Sequence, residues 1–428
     1  MQVYLGLGSN LDDKRAHLRR AIGLLKARGL RNIRVSPVVE SPALLPEQAP
    51  SSWNQPYLNL IVEAEAEGPP QQWRQWFKDI EAEVGETQPH PGAPRAVDID
   101  ILLWGRERIN EPQLTIPRPD LHLHGFTLSP LVWLRPELTV PGLDDKTALD
   151  WSRELTHHIP LWMCIINVTP DSFSDGGLHT EWATIEPQLA RMDTAGGQII
   201  DIGAESTRPR AVPVTPTQEW SRLAPVLERL KDRYRDDPLR PLISIDTRHP
   251  ETAAKALAWG VDIVNDVSGL THPAMQDLAR SSNADWIAMH HLTIPADPTT
   301  VLPEDRDPCA EVENWLLRRM HHWDRAGLDL NRIIFDPGIG FGKNSLQSLE
   351  LLRHAGRFRR HGLRLLIGHS RKSFMKDFIK LEPGIRDLAT LGASLQLCQK
   401  GVDIIRVHDI PMHMTAYRAW AHLLATTP

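Results

Sequence analysis

The chain has 428 residues, 41% of them hydrophobic and 24% charged. Such values exclude a disordered or collagen-like chain, and the length suits a barrel of about 250 residues with one smaller domain, or two to three ordinary domains. Lys and Arg total 48 against 54 Asp and Glu, a formal net charge of −6, which argues against a general nucleic-acid or membrane-surface binder but leaves local basic sites open.

In chain order, residues 3–7 alternate like a short strand. Residues 14–30 have helical spacing through Leu18, Ile22 and Leu25, with Gly29 as a stop. Residues 35–40 and 58–64 read as strands, 73–84 as a helix, and 97–104 as an apolar strand interrupted by two carboxylates. Strands separated by two helices predict an α+β sheet sandwich. Residues 144–160 are polar and read as a joining segment. Beyond them eight short apolar runs alternate with helical stretches: 162–166, 199–202, 242–245, 263–264, 286–289, 333–335, 365–367 and 404–407. Repeated βα units of this kind predict a (β/α)8 barrel. The division falls at 1–157 and 158–428. Cys164, Cys309 and Cys398 are too scattered for a disulfide framework, and no CxxC pair occurs. The first residues carry no basic segment before an apolar run, and no run approaches the ~18 apolar residues of a membrane span, so a cytoplasmic enzyme is expected. The paired histidines 157–158, 290–291 and 321–322 read as surface or loop residues, except His290 beside Met289.

The functional signal is positional, because a barrel of this kind carries its chemistry at the carboxyl ends of its strands. The apolar runs are followed by Asn167, Asp201 with Glu205, Asp246, Asn265-Asp266, His290, Asp336, Ser370-Arg371-Lys372, and Arg406 with His408. One polar strand end is usually a cap, but eight in register point to a shared mouth. Asp246, Asn265 and Asp336 suit a flat heterocycle rich in N–H donors. Lys372, Arg406 and His408 offer donors to phosphate oxygens, and Asn167 offers a hard oxygen suited to Mg2+.

On these motifs the C-terminal 270 or so residues resemble dihydropteroate synthase. The matching stretches, in order, are Ile166-Asn167-Val168-Thr169-Pro170-Asp171-Ser172-Phe173-Ser174-Asp175-Gly176-Gly177, Asp201-Ile202-Gly203-Ala204-Glu205-Ser206-Thr207-Arg208-Pro209, Ile245-Asp246-Thr247, Asn265-Asp266-Val267-Ser268-Gly269, residues 336–343, Gly368-His369-Ser370-Arg371-Lys372-Ser373 and Arg406-Val407-His408-Asp409. The resemblance implies that 7,8-dihydropterin pyrophosphate condenses with p-aminobenzoate, releasing pyrophosphate. It assigns Asp246, Asn265, Asp336 and Lys372 to the pterin, with Met289 and Gly368 beside them. It assigns Asn167, Arg406 and His408 to pyrophosphate and Mg2+. Phe173, Thr207, Arg208, Pro209, Phe341 and Ser373 fall to mobile-loop and p-aminobenzoate positions. It further implies competition by sulfonamides and a homodimer through the barrel. Ala204 and Arg210 depart from the family, which more often has glycine at both.

In the N-terminal part, Gly6-Leu7-Gly8-Ser9-Asn10 follows the first strand. Asp98 and Asp100, two apart on a strand, share one face and call for a compensating cation. Together with Glu40-Ser41-Pro42, Tyr57-Leu58-Asn59, Ile80-Glu81, Pro94-Arg95 and Gly125-Phe126, these residues make the first 155 or so resemble hydroxymethyl-dihydropterin pyrophosphokinase, a ferredoxin-like α+β domain. The resemblance implies ATP as co-substrate, Mg2+ on Asp98 and Asp100, and the pterin between Tyr57 and Phe126. It places Asn59, Ser41 and Pro42 beside the pterin and Arg95 on the phosphates. The departures are a Pro-rich stretch over 85–93 without the family's arginines and tryptophan, Arg118 in place of a histidine, and His124 in place of an arginine. They leave open a non-catalytic pterin or nucleotide carrier. For the barrel, the alternative is a pterin-dependent methyltransferase, against which Ser370-Arg371-Lys372, Arg406 and His408 argue.

Overall fold

The computed structural model describes residues 1–85, 92–168, 178–206, 212–378 and 385–425. It resolves into two compact units, one built essentially on residues 1–159 and the other on the chain from Pro160. No described helix is long and apolar enough to cross a membrane.

The first unit is a five-stranded antiparallel sheet formed by β1 (Gln2–Ser9), β2 (Arg31–Val35), β3 (Val39–Ser41), β4 (Tyr57–Glu65) and β5 (Asp98–Trp104). The order is β2-β4-β1-β5, with β3 paired to β4. Helices α1 (Lys14–Ala27) and α2 (Pro70–Val84) bury Leu18, Ile22, Leu25, Trp73, Phe77 and Ile80 against Val3, Leu5, Val62, Ile99 and Ile101. A hairpin, β6 (Ile109–Glu111) and β7 (Leu114–Ile116), follows, then α3 (Gly125–Leu134) and α4 (Ala148–Glu154).

Three local readings change. The strand expected over 35–40 is two strands, because Pro37 has no N–H to pair and breaks the ladder between Val35 and Val39. The joining segment after Asp144 contains α4, started by a Thr147–Asp150 capping box and anchored by buried Ala148, Leu149 and Ser152. His158 is buried, not a surface residue.

The second unit is a closed barrel of eight parallel strands: β8 (Leu161–Asn167), β9 (Ile199–Gly203), β10 (Leu242–Asp246), β11 (Ile263–Asp266), β12 (Asp285–Met289), β13 (Ile333–Asp336), β14 (Arg364–Gly368) and β15 (Ile404–Val407). Each pairs with the next in sequence, and β15 pairs with β8 to close the ring. The intervening helices are α5 (Leu178–Ala195), α6 (Pro216–Arg233), α7 (Pro250–Trp259), α8 (Pro273–Ser281), α9 (Pro308–Arg325), α10 (Ser345–Arg353) and α11 (Arg386–Gln399), and α12 (Ile410–Ala425) follows β15. All eight apolar runs are barrel strands, so the polar residues that end them converge on one mouth.

Candidate active sites at the barrel mouth and on the sheet

In the barrel, Asp201 points inward from the middle of β9 and is fully buried. Its carboxylate accepts from Arg406 Nε at 2.6 Å, Asn265 Nδ2 at 3.1 Å and Ser244 Oγ at 2.6 Å. Arg406 also donates from Nη2 to Asp246 at 2.8 Å. One guanidinium therefore ties β9, β10 and β15 together in a charge-assisted fork. Burial pushes the Asp246 carboxyl up while Arg406 pulls it down. Asp246 stands opposite Gly203, where a side chain would meet its Cβ at 3.4 Å.

Across the mouth, Asp336 ends β13 and accepts from the Gly338 amide at 2.7 Å. Burial raises its pKa, and Lys372 opposes that shift. Lys372 donates to the Ile339 carbonyl at 2.5 Å and lies over the Phe341 ring at 4.9 Å. Its ammonium is lowered to about 8, chiefly by burial. Gly368 stands between the two acidic centres, 3.8 Å from Arg406 and 3.9 Å from Asp336 as measured from a Cβ built on it. Met289 pairs in register with Asp336 and is buried. His408 faces Ser370, with Nδ1 and Oγ 2.9 Å apart. Asn167 is exposed at the last position of β8, and exposed Ser373 opens the turn after Lys372. Phe173, Thr207, Arg208, Pro209 and Arg210 lie outside the described residues.

The loop 336–343 is fastened by Lys343, to which the sequence reading gave no role. Its buried ammonium donates to His290 Nδ1 at 2.6 Å, and it reaches the carbonyls of His290, Gly338 and Phe341 at 3.1, 2.9 and 2.9 Å. The Nδ1 contact puts the His290 proton on Nε2, consistent with a ring held well below its ordinary pKa by burial and by Lys343. Gly338 has φ +68°, and a Cβ there would lie 1.9 Å from the His290 carbonyl oxygen. Only glycine fits this approach.

Glu205, Glu219 and His249 gather nearby, with ligand-capable atoms within 4.8 Å of one another. Arg248 engages both oxygens of Glu205, at 2.8 and 2.9 Å. Glu219 is pushed up to about 7 by burial, against the Thr252 and Thr247 hydroxyls, and burial lowers His249. Arg248 neutralises Glu205, one of the two carboxylates of the group.

On the sheet of the first unit, Asp98 and Asp100 pair in register with Gly8 and Gly6, and Gly8 pairs on its other side with Asn59. The two glycines leave that face open between the carboxylates and Asn59. A Cβ at Gly8 would meet Asn59 Oδ1 at 3.2 Å and the Tyr57 ring at 3.4 Å. Asn59 donates to Ser41 Oγ at 3.0 Å, and Pro42 follows directly. Asn10 accepts from the Arg95 amide at 2.8 Å, which fixes the Arg95 segment beside the end of β1.

Each aspartate already has a cation. Arg95 Nη1 donates to Asp98 at 2.9 Å, and Arg118 pairs with Asp100. Arg118 also donates from Nε to Asp120 at 2.7 Å, and His124 stands 3.6 Å from the same carboxylate. Phe126 stacks on His124, ring centres 4.9 Å apart and 10° from parallel. Burial, then Asp98, pushes the Asp100 carboxyl up, and Arg118 holds it down. Buried Glu81 supports β5 by accepting from the Ile99 amide at 2.8 Å and pairs with Lys78 at 2.7 Å. The hard, half-exposed oxygens of Asp98 and Asp100 on an open face fit Mg2+. Sequence reading named Asp201 without its partners, and it gave no role to Arg118 as the partner of Asp100 or to Lys343. Asp201 was visible as a polar break in an apolar run; the other two carry no local signal.

Residues 163–408 match the family described as pterin binding enzyme, and residues 4–136 match 7,8-dihydro-6-hydroxymethylpterin-pyrophosphokinase. The folate synthesis bifunctional protein of Chlamydia trachomatis is 34% identical over 441 residues, covering 98% of each chain. The mitochondrial folate synthesis bifunctional protein of Arabidopsis thaliana is 30% identical, covering 96% of this chain and 80% of its own. Among solved structures, dihydropteroate synthase of Xanthomonas albilineans with 4-aminobenzoic acid is 34% identical with a TM-score of 0.56, covering 63% of this chain and 94% of that one. That of Yersinia pestis with a sulfonamide drug complex is 30% identical with a TM-score of 0.56, covering 63% and 95%. With both halves matched in order, the chain belongs to the bifunctional folate-synthesis family, which joins a hydroxymethyl-dihydropterin pyrophosphokinase to a dihydropteroate synthase.

Proposed function

We propose that the synthase reaction runs between the two acidic centres of the barrel mouth. The observation that carries this reading is the facing of Asp201–Arg406–Asp246 by Asp336–Lys372 across Gly368. Asp246, Asn265 and Asp336 accept from and donate to the pterin ring, with Met289 packed beside it. Loss of pyrophosphate breaks the C–O bond at the pterin methylene and leaves a cation, which the two carboxylates stabilise. Arg406 and His408 meet the departing anion, and Asn167 would offer an oxygen to Mg2+, which would add charge neutralisation there. The arylamine of p-aminobenzoate then forms the C–N bond and loses its proton to solvent. Lys372, over the Phe341 ring, serves the pterin and, with Phe341 and Ser373, the p-aminobenzoate side, to which the resemblance also assigns Phe173, Thr207, Arg208 and Pro209. Sulfonamides compete there.

In the first unit Tyr57, Asn59, Ser41, Pro42 and Phe126 receive the pterin alcohol, and Arg95 meets the phosphates of ATP. Asp98 and Asp100 would hold Mg2+, which would supply charge neutralisation to the transferring group. The enzyme acts in the cytoplasm, as a homodimer through the barrel.

A coupled assay tests both halves: hydroxymethyl-dihydropterin, ATP and p-aminobenzoate should yield dihydropteroate and AMP. Asp98→Ala should abolish AMP formation while leaving the synthase step on supplied pterin pyrophosphate intact. If the native chain forms no AMP, the first unit is a non-catalytic carrier. If pyrophosphate release does not depend on p-aminobenzoate, the assignment of the barrel residues fails.

A further inference from the structure

We propose that Arg118 is a resident counter-ion that the metal must displace from Asp100, so that metal loading and release of this guanidinium are one event. The inference rests on the kinase reading of Asp98 and Asp100 and concerns what happens before the reaction. Four carboxylates, Glu81, Asp98, Asp100 and Asp120, face three fixed cations, Lys78, Arg95 and Arg118. Burial lowers His124, which stands beside Asp120, so it adds little charge near neutral pH. The surplus is one negative charge, too little to balance a divalent ion. Turning Arg118 from Asp100 onto Asp120 leaves that total unchanged but moves the uncompensated charge onto Asp100, beside Asp98, and frees an oxygen of that carboxylate.

The geometry supplies the means. Arg118 is held by two carboxylates at once, Asp100 and Asp120, with Nε on Asp120 at 2.7 Å. On leaving Asp100 it keeps its bond to Asp120, so it swings rather than departs. Arg118 and Asp100 are both more than a third exposed, which makes the exchange cheap. The freed guanidinium is then available to the phosphate anion that arrives with the ion. Arg95, by contrast, donates to Asp98 and to the Ala93 carbonyl.

The test is Mn2+ titration of the nucleotide-free full-length chain at pH 8, followed by the paramagnetic signal of free Mn2+. Arg118→Gln should tighten Mn2+ binding by about tenfold, the effect of removing one unit charge about 5 Å from a divalent ion near water. The same variant should raise KM for ATP, so metal and nucleotide affinities move in opposite directions. Arg118→Lys should tighten Mn2+ less, because it keeps the charge but cannot bridge both carboxylates. Asp120→Asn should weaken Mn2+ several-fold by leaving Arg118 to Asp100 alone, and it decides the matter if Arg118→Gln does not fold. Asp100→Ala should remove the tight Mn2+ site in every background. Unchanged or weaker Mn2+ binding in Arg118→Gln overturns the proposal, as does unchanged binding in Asp120→Asn. AMP formation by the native chain tests the kinase reading separately, since the Mn2+ measurement needs no turnover.

Discussion

Lys343→Met is the sharpest test of how the barrel mouth is built. Methionine matches the length of the lysine stem, so little cavity is made, and the loss is confined to the ammonium. That group serves one ring nitrogen and three backbone carbonyls, all between 2.6 and 3.1 Å. A buried acceptor left unpaired costs about 1–3 kcal/mol. Carbonyls near the mouth recover part of this from water. Removing a buried ammonium, which burial holds well below its ordinary pKa, offsets more. The net loss is about 2–3 kcal/mol, or a fall in the barrel's Tm of roughly 5–10 °C. The functional effect is local. Gly338 and Phe341 lose their fastening, and with them the 2.7 Å bond from the Gly338 amide to Asp336 and the Ile339 carbonyl that receives Lys372. KM for pterin pyrophosphate should rise by about tenfold, equivalent to about 1.4 kcal/mol, with a smaller change in kcat. Kinase turnover in the same preparation is the internal control and should not change. A variant within 1–2 °C of the parent with the parental pterin KM would refute the fastening role.

Three further outcomes follow from the same geometry. Because Lys372 is lowered to about 8 and is needed as a cation, synthase kcat/KM should fall as pH rises through about 8, and Lys372→Arg should move that limb beyond pH 10; an unmoved limb assigns it to another group. Glu219 has a folded pKa of about 7, above its unfolded value near 4.5, so the unfolded chain binds fewer protons in between and stability falls from pH 4.5 to pH 7. Glu219→Gln should remove that slope, worth up to about 3 kcal/mol at pH 8, in denaturant melts at the two ends of the range; parallel slopes would refute it. Gly338→Ala must displace the His290 carbonyl and adopt a strained φ, and should cost several kcal/mol as well as pterin affinity; a stable, active variant would show that the loop has room to move.

Much of the barrel was legible because its signal is local. A short apolar run with a polar side chain at or near its end marks a strand and its reactive end together. Hence Asp246, Asn265, Asp336 and Arg406 could be named before their partners were known. The pairing itself was not legible. Arg406 meets Asp201 across 205 residues, and Lys343 meets His290 across 53. Nothing in either local sequence says which strand-end group turns inward. In the first unit Gly6 and Gly8, expected to follow the first strand, lie within β1, whereas the i, i+2 aspartates were readable from strand alternation. The bulge that follows Ile101 was not: β1 advances from Tyr4 to Leu5 while β5 skips Leu102, which turns Trp104 toward Trp73 in the core. Sequence reading treated Arg118 only as a departure from a pattern, because its meaning lies in Asp100, on a different element.

The two units use the same device under different burial. In each, one guanidinium is shared by two carboxylates: Arg406 by Asp201 and Asp246, Arg118 by Asp100 and Asp120. Arg406 is 19% exposed and Asp201 not at all, whereas Arg118 and Asp100 are 36% and 39% exposed. Breaking a buried pair leaves an uncompensated charge and costs about 3–5 kcal/mol, while an exposed pair is worth about 0–1 kcal/mol. Arg406 is therefore a fixed part of the barrel, preorganised for an anion that leaves, and its carboxylates stay put while the pterin binds. Arg118 is exchangeable, suited to a site whose carboxylates must be vacated before a cation can bind. Arg406→Ala should accordingly destabilise the barrel as well as stop synthesis, by about 3–5 kcal/mol. Arg118→Gln should leave the first unit's unfolding within about 1 kcal/mol of the parent while changing its metal affinity. Equal destabilisation by the two substitutions would break the link drawn here between burial and exchange.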